Sequence, residues 1–166
     1  MVYLAFFKGK ASFFGRLIRW WTRSPYSHVE LAFPFESPLF RHPPGERWFI
    51  VYSSDEKDGG SRAKVIDLRS RDWDLVPVPV PDEAKVLQWC HANLGRRYDF
   101  LGIFGMVISP ARDNPNRFFC SEFCLRAAQE GGWGHGTLPA KTSPGALFIL
   151  VTERDPQPPE CRNFEI

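Results

Sequence analysis

No run of apolar residues in this 166-residue chain approaches the ~20 that a membrane-spanning helix needs. Charge of either sign is nearly absent on balance. Twenty-one Lys and Arg against nineteen Asp and Glu leave a formal net charge of +2, too small to imply nucleic acid or an anionic membrane as a partner. Cysteine is scarce: the four residues, at 90, 120, 124 and 161, have no small-scaffold spacing. A chain of this length can bury about two-thirds of its unfolded surface without covalent staples. Free thiols in a cytosolic protein are therefore expected. The start, Met1 to Phe7, lacks the basic segment and cleavage site of a secretory leader, which points the same way. There is no internal repeat and no linker long enough to separate two domains.

Aromatics are abundant instead, with 15 Phe and 6 Trp, so the core or a substrate groove should be aromatic. Val2 to Phe7 reads as a buried strand. Phe13, Phe14, Leu17, Ile18 and Trp21 recur at helical spacing, so Phe13 to Thr22 is expected as an amphipathic helix, stopped by Pro25. Basic residues gather between Lys8 and Arg23, interrupted by Trp20 and Trp21, as on a helix face. In His28 to Phe33, Val29, Leu31 and Phe33 alternate with His28, Glu30 and Ala32. Residues 34–45 form a proline-rich loop. Strands follow at Trp48 to Ser53, Arg62 to Leu68 and Trp73 to Val80, the last demoted to a sheet edge by its Val-Pro repeats. Pro81 and Asp82 open a helix that Gly95 closes. Ile103 to Ser109 is apolar without clear periodicity, and residues 113–116 are turn material before a helix from Phe119 to Gln129. Ala146 to Thr152 reads as a last short strand, and residues 155–166 as a tail. One α+β domain over residues 1–154 is expected, with a small antiparallel sheet packed against helices.

Two residues stand out chemically. Cys120 falls at a helix start, where the backbone dipole and unsatisfied N–H groups favour thiolate. The same N–H groups can hold an oxyanion. His28 lies on a strand with Glu30 on its own face, close enough to fix the imidazole tautomer. A buried cysteine is ordinarily core packing, which remains the reading for Cys124, one turn along the helix. No second paired ligand set accompanies Cys120 and Cys124, so no metal or other cofactor is expected. His42, His91 and His135 have no such neighbours and read as bystanders.

Ser27-His28-Val29-Glu30-Leu31, Leu94-Gly95-Arg96-Arg97-Tyr98-Asp99 and Phe119-Cys120-Ser121-Glu122 occur in that order. The ordered set resembles the circularly permuted branch of the NlpC/P60 superfamily of papain-like cysteine hydrolases. Within it the likeness is to YiiX/YaeF-type proteins and to small phage-encoded members. The resemblance implies a permuted papain-like fold, with Cys120 as nucleophile and His28 as base. Tyr98 and Ser121 would line the substrate site. The family takes its third polar group from the strand after the histidine, where Ser53 stands, so Ser53 and Glu30 are alternatives for that position. The acidic residue that precedes the family's nucleophile is Phe119 here, which removes its usual partner for a free amine.

The function implied is cleavage of an amide bond, in a cell-wall peptide or an amino-acid conjugate, by a Cys–His site. Peptide-like or acyl small molecules are the expected substrates, and the bacterial cytoplasm, including that of a phage-infected cell, the expected setting. Lecithin:retinol acyltransferase-like lipid chemistry shares the permuted layout. Its usual Asn-Cys-Glu-His run and membrane anchor are missing here. A catalytically inactive binding module is the third possibility.

Overall fold

The computed structural model describes residues 1–35, 48–68, 70–99 and 116–154. In chain order these form β1 (Val2–Phe7), α1 (Phe13–Thr22), β2 (His28–Pro34), β3 (Trp48–Asp55), β4 (Gly60–Asp67) and β5 (Trp73–Val78). Then come α2 (Glu83–Ala92), β6 (Arg97–Tyr98), β7 (Arg117–Phe118), α3 (Cys120–Glu130), a 3₁₀ turn (Pro139–Lys141) and α4 (Pro144–Arg154). The architecture is α+β. The expected apolar segment 103–109, the tail and most of the proline-rich loop lie outside the described residues.

One seven-stranded sheet runs in the order β5-β1-β2-β3-β4-β6-β7. It is larger than the small antiparallel sheet anticipated, and it is mixed, because β6 and β7 pair in parallel. These two-residue strands carry no periodicity that a sequence could display. The strand with Pro77 is at an edge, as its missing N–H requires.

Alternation sorts the side chains. Val2, Leu4 and Phe6 of β1 join Val29, Leu31 and Phe33 of β2 against Phe123, Cys124 and Leu125 of α3. Tyr3, Ala5, Ala32, Phe49 and Val51 cluster on the opposite face. Helix α3 is buried at eight of its eleven positions, including the polar Ser121 and Glu122, so it lies under its neighbours. Full burial of a side chain such as Phe123 contributes about 1.5–3 kcal/mol.

The segment expected as a final strand is helix α4. Ser143 caps it, its Oγ accepting from the Ala146 N–H at 3.2 Å, and Pro144 supplies a preset helical φ. Leu147 and Val151, four apart, are buried while Ile149 between them is exposed. That spacing has period 3.6, not 2, and the Ser-Pro pair was the available signal.

What places the site is a parting of two strands. β2 pairs with β1 along its length, through Phe7↔His28. With β3 it pairs only from Leu31↔Tyr52 to Pro34↔Phe49. Beyond Leu31 the ladder opens, and side chains satisfy the freed carbonyl of Val29. Ser53 Oγ donates to it at 2.7 Å, and Cys124 Sγ lies 3.6 Å from it and 3.9 Å from the Tyr52 carbonyl.

Candidate active site

Cys120 is the first residue of α3, where the Phe119 side chain provides no cap for the first-turn amides. His28 is the first residue of β2, at the mouth of the parted ladder. The two side chains are near enough for the Cys120 sulfur to bear on the charge of the ring. His28 Nε2 stands 3.2 Å from Glu30 Oε1. The start of α3 and the strand carrying His28 are thus brought together, and the carboxylate two residues along reaches the ring.

Helix α1 closes the site from another side. Its Gly15 presses against Ser27, next to His28, where a Cβ would sit 3.2 Å from the Ser27 Cβ and 2.9 Å from that of Ala11. Ser12 caps this helix, its Oγ accepting from the Gly15 N–H at 3.1 Å. Between α1 and the sheet lies a cavity of about 170 Å³. Ser12, Gly15, His28, Glu30, Asp55 and Tyr98 are among its walls. Cys120 is not on its wall and is only 2% exposed.

Electrostatics at His28 are a contest. Burial opposes a charged ring, yet the Cys120 sulfur and the Glu30 carboxylate outweigh it and hold His28 up at about 10. Burial likewise opposes charge on Glu30, but His28 and Arg62 draw it down to about 2. Tyr98 is pushed well above the ordinary phenol range by burial first and by Cys120 next, so it remains a neutral donor. Cys124 is raised as well, by burial and by the Cys120 charge, and Cys90 is raised by burial. Both are inert thiols at neutral pH.

Ser53 and Ser121 take no part in lining the cavity. Both are fully buried; Ser53 Oγ serves the Val29 carbonyl and Ser121 Oγ donates to the Thr142 carbonyl at 2.6 Å. Both hydroxyls, one expected as a third catalytic or substrate-binding group and the other as a substrate contact, make internal bonds here, Ser53 to β2 and Ser121 to the turn before α4. Tyr98 does line the cavity. His91 is engaged with the Tyr52 hydroxyl at 2.9 Å, away from the site.

Two residues were missed. Arg62 clamps Glu30 with both arms, Nη1 to Oε2 at 2.7 Å and Nη2 to Oε1 at 2.8 Å, and its Nε bonds Asp58 at 2.9 Å. Asp55 places Oδ2 3.6 Å from His28 Nε2 and 3.5 Å from Arg62 Nη2. Asp55 is two residues beyond Ser53, hence on the same face, and β3 extends to it rather than stopping at 53. A carboxylate on the strand after the histidine was thus available one alternation further on. Arg62 is opposite Ser53 in the β3–β4 register, which only the pairing reveals.

Among the described residues no group of three His, Cys, Asp or Glu side chains is arranged to hold a metal ion. Compared with known proteins, the chain matches no family model and no curated protein.

Proposed function

We propose that this protein is a cysteine-dependent amide hydrolase of permuted NlpC/P60-like architecture. The observation that carries the reading is one imidazole bridging a helix-start thiol and a buried carboxylate. Its substrate class is peptide-like: a cell-wall peptide or an amino-acid conjugate. Glu30 occupies Nε2, which leaves Nδ1 for the sulfur. In that arrangement the ring accepts the Cys120 proton and stays charged between thiolate and carboxylate. The thiolate attacks the amide carbonyl, and the Cys120 and Ser121 N–H groups hold the resulting oxyanion. His28 then returns the proton to the leaving amine, giving an acyl-enzyme. Water, deprotonated by the same ring, attacks the acyl carbon, and the acid leaves as the thiolate–imidazolium pair is restored. Glu30 keeps the tautomer and, clamped by Arg62, stays ionised while doing so. Because Cys120 is 2% exposed, substrate must displace the wall around Tyr98 to reach its sulfur.

The test is a screen of peptide and amino-acid amide substrates with the wild type, Cys120→Ala and His28→Ala. Turnover in the wild type that both variants lose supports the hydrolase, and turnover that Cys120→Ala retains rejects it. The sulfur's closure favours a second reading, a binding module that keeps the fold. An acyl-site probe that leaves Cys120 unlabelled in the native protein, while a peptide ligand still binds, would decide for that reading.

A further inference from the structure

Helix α1 is amphipathic in the wrong direction for a helix held by the core. Its contact with the body of the protein is made by Gly15 and Ile18, which are buried. Phe13 is 77% exposed, Trp20 73% and Trp21 44%. These three occupy one outward stripe at helical spacing, unlike the other exposed apolar side chains, which are scattered over the fold. The two indoles stack edge to face, with centroids 5.9 Å apart, and form a shallow cleft with Arg23. Arg16 and Arg23 stand exposed at the flank of the stripe, with Lys10 just ahead of the helix. From residue 8 to residue 23 there are five basic residues and no acidic one. The near-neutral charge of the whole chain conceals this concentration, which is why the composition gave no hint of an anionic surface.

We infer that α1 is a docking surface for an anionic lipid bilayer, lying in the interface plane with Phe13, Trp20 and Trp21 in the headgroup boundary. Trp is the residue that interfaces enrich, its ring apolar and its N–H wet. Flanking cations are drawn to acidic headgroups, and an exposed Trp-Phe stripe beside them matches an interfacial helix. Charge complementarity selects the bilayer over a second copy of this chain, whose identical Arg16 and Arg23 would meet like charge across a two-fold contact. Among the described residues no helix is long and apolar enough to cross a membrane, so the attachment is peripheral. The opposite side of α1 lines the cavity through Ser12, Gly15 and Ile18. Docking would therefore set the cavity beside the membrane surface, whatever reaction it hosts; the inference does not rest on the hydrolase reading.

The experiment is co-sedimentation of the full chain with vesicles of phosphatidylcholine alone, or with a quarter phosphatidylglycerol, together with tryptophan quenching by brominated lipid. Binding is expected to the anionic vesicles, to weaken with salt, and to be accompanied by quenching. Trp20→Ala/Trp21→Ala should lower partitioning at least ~10-fold and abolish the quenching. Arg16→Gln/Arg23→Gln should lower it about 25-fold, at roughly fivefold per charge. Unchanged circular dichroism and Cys120 labelling would show both variants folded. Absence of binding to anionic vesicles overturns the inference. So does a dimer in light scattering that Trp20→Ala/Trp21→Ala disperses, since the stripe would then be covered by a second copy. Equal binding to neutral vesicles overturns the anionic assignment.

Discussion

Arg62→Met tests whether the ion network beneath His28 holds the fold together or merely decorates it. The Arg62 side chain is 14% exposed and that of Glu30 is 4%, so water scarcely reaches the pair. Arg62 makes two bonds to Glu30, at 2.7 and 2.8 Å. Removing the guanidinium leaves a buried carboxylate with His28 as its remaining charged neighbour. Breaking a buried pair from one side destabilises by about 3–5 kcal/mol, against ~0–1 for an exposed pair. For a domain with a typical stability of about 5–15 kcal/mol that is a large fraction. Urea unfolding at pH 7 should show the midpoint falling by roughly 2 M at unchanged slope. Glu30→Gln/Arg62→Met should recover about half of the loss, because no unpaired carboxylate remains. A second consequence follows for His28. Without its clamp Glu30 takes up a proton more readily, and the protonated form no longer supports the imidazolium. Cys120 alkylation should therefore slow in Arg62→Met at mildly acidic pH more than in the wild type. A stability loss under ~1 kcal/mol, with no recovery in the double variant, would refute the reasoning and make the clamp a surface pair in effect.

Four further outcomes are expected. Iodoacetamide near neutral pH should modify Cys120 ahead of Cys90 and Cys124, with the rate lost in His28→Ala and retained in Cys124→Ser; faster labelling at Cys124 would reassign the nucleophile. Ser53→Ala should destabilise the fold by ~1–3 kcal/mol by leaving the Val29 carbonyl short of a partner, while leaving Cys120 labelling nearly unchanged. Glu30→Gln should slow that labelling far more than Ser53→Ala or Asp55→Asn, and the reverse order would transfer the orienting role. Finally, stability should vary with pH at both ends. His28 is raised from 6.5 to about 10, so its contribution is whole below 6.5 and fades as pH climbs through about 10. Glu30 is lowered from 4.5 to about 2, so its contribution is whole above 4.5 and fades as pH falls towards about 2. A plateau near pH 4.5–6.5 is expected, with an alkaline limb that His28→Ala flattens.

Local pattern carried the sequence reading where side chains themselves declare the structure. The alternation of residues 28–33 put His28 and Glu30 on one face, and their contact at 3.2 Å follows from it. Asp82 was legible as a cap because its carboxylate accepts the Lys85 N–H at 3.1 Å, a purely local bond. Ser53 and Arg62 were not legible in the same way. Whether a serine on a strand faces substrate or a neighbour's carbonyl depends on where the next strand parts from it. Arg62 reaches Glu30 only because β3 lies between their strands in one register. The outward stripe of α1 was not legible for a related reason. Helical spacing shows that a face exists, but which side the body of the protein covers is decided by Gly15, whose missing side chain admits Ser27.

The parted ladder also explains why the candidate site combines rigidity with a closed sulfur. Had β2 and β3 stayed paired past Leu31, the Val29 carbonyl would have bonded to backbone. The Ser53 hydroxyl and Cys124 thiol would then have had no buried acceptor there. Opening the ladder makes room for the start of α3, and hence Cys120, against the strand that carries His28. Side-chain hydroxyl and thiol replace the lost ladder bonds, so the opening leaves that carbonyl satisfied. On the other flank Gly60 holds the hairpin that presents Asp55, Asp58 and Arg62. It adopts φ +157°, where a Cβ would run into the Arg96 carbonyl. The strands that carry the charges around His28 are therefore held from two sides by backbone constraints. On the Tyr98 side β6 is only two residues long, paired with β4 at Gly60↔Arg97 and with β7 at Arg97↔Arg117 and Tyr98↔Phe118. The Tyr98 N–H bonds to the Gly59 carbonyl at 3.0 Å and the Asp99 N–H to the Phe118 carbonyl at 3.1 Å. Tyr98 is thus held through its neighbours' backbone, so admitting a substrate past it requires β6 and its partners to shift together.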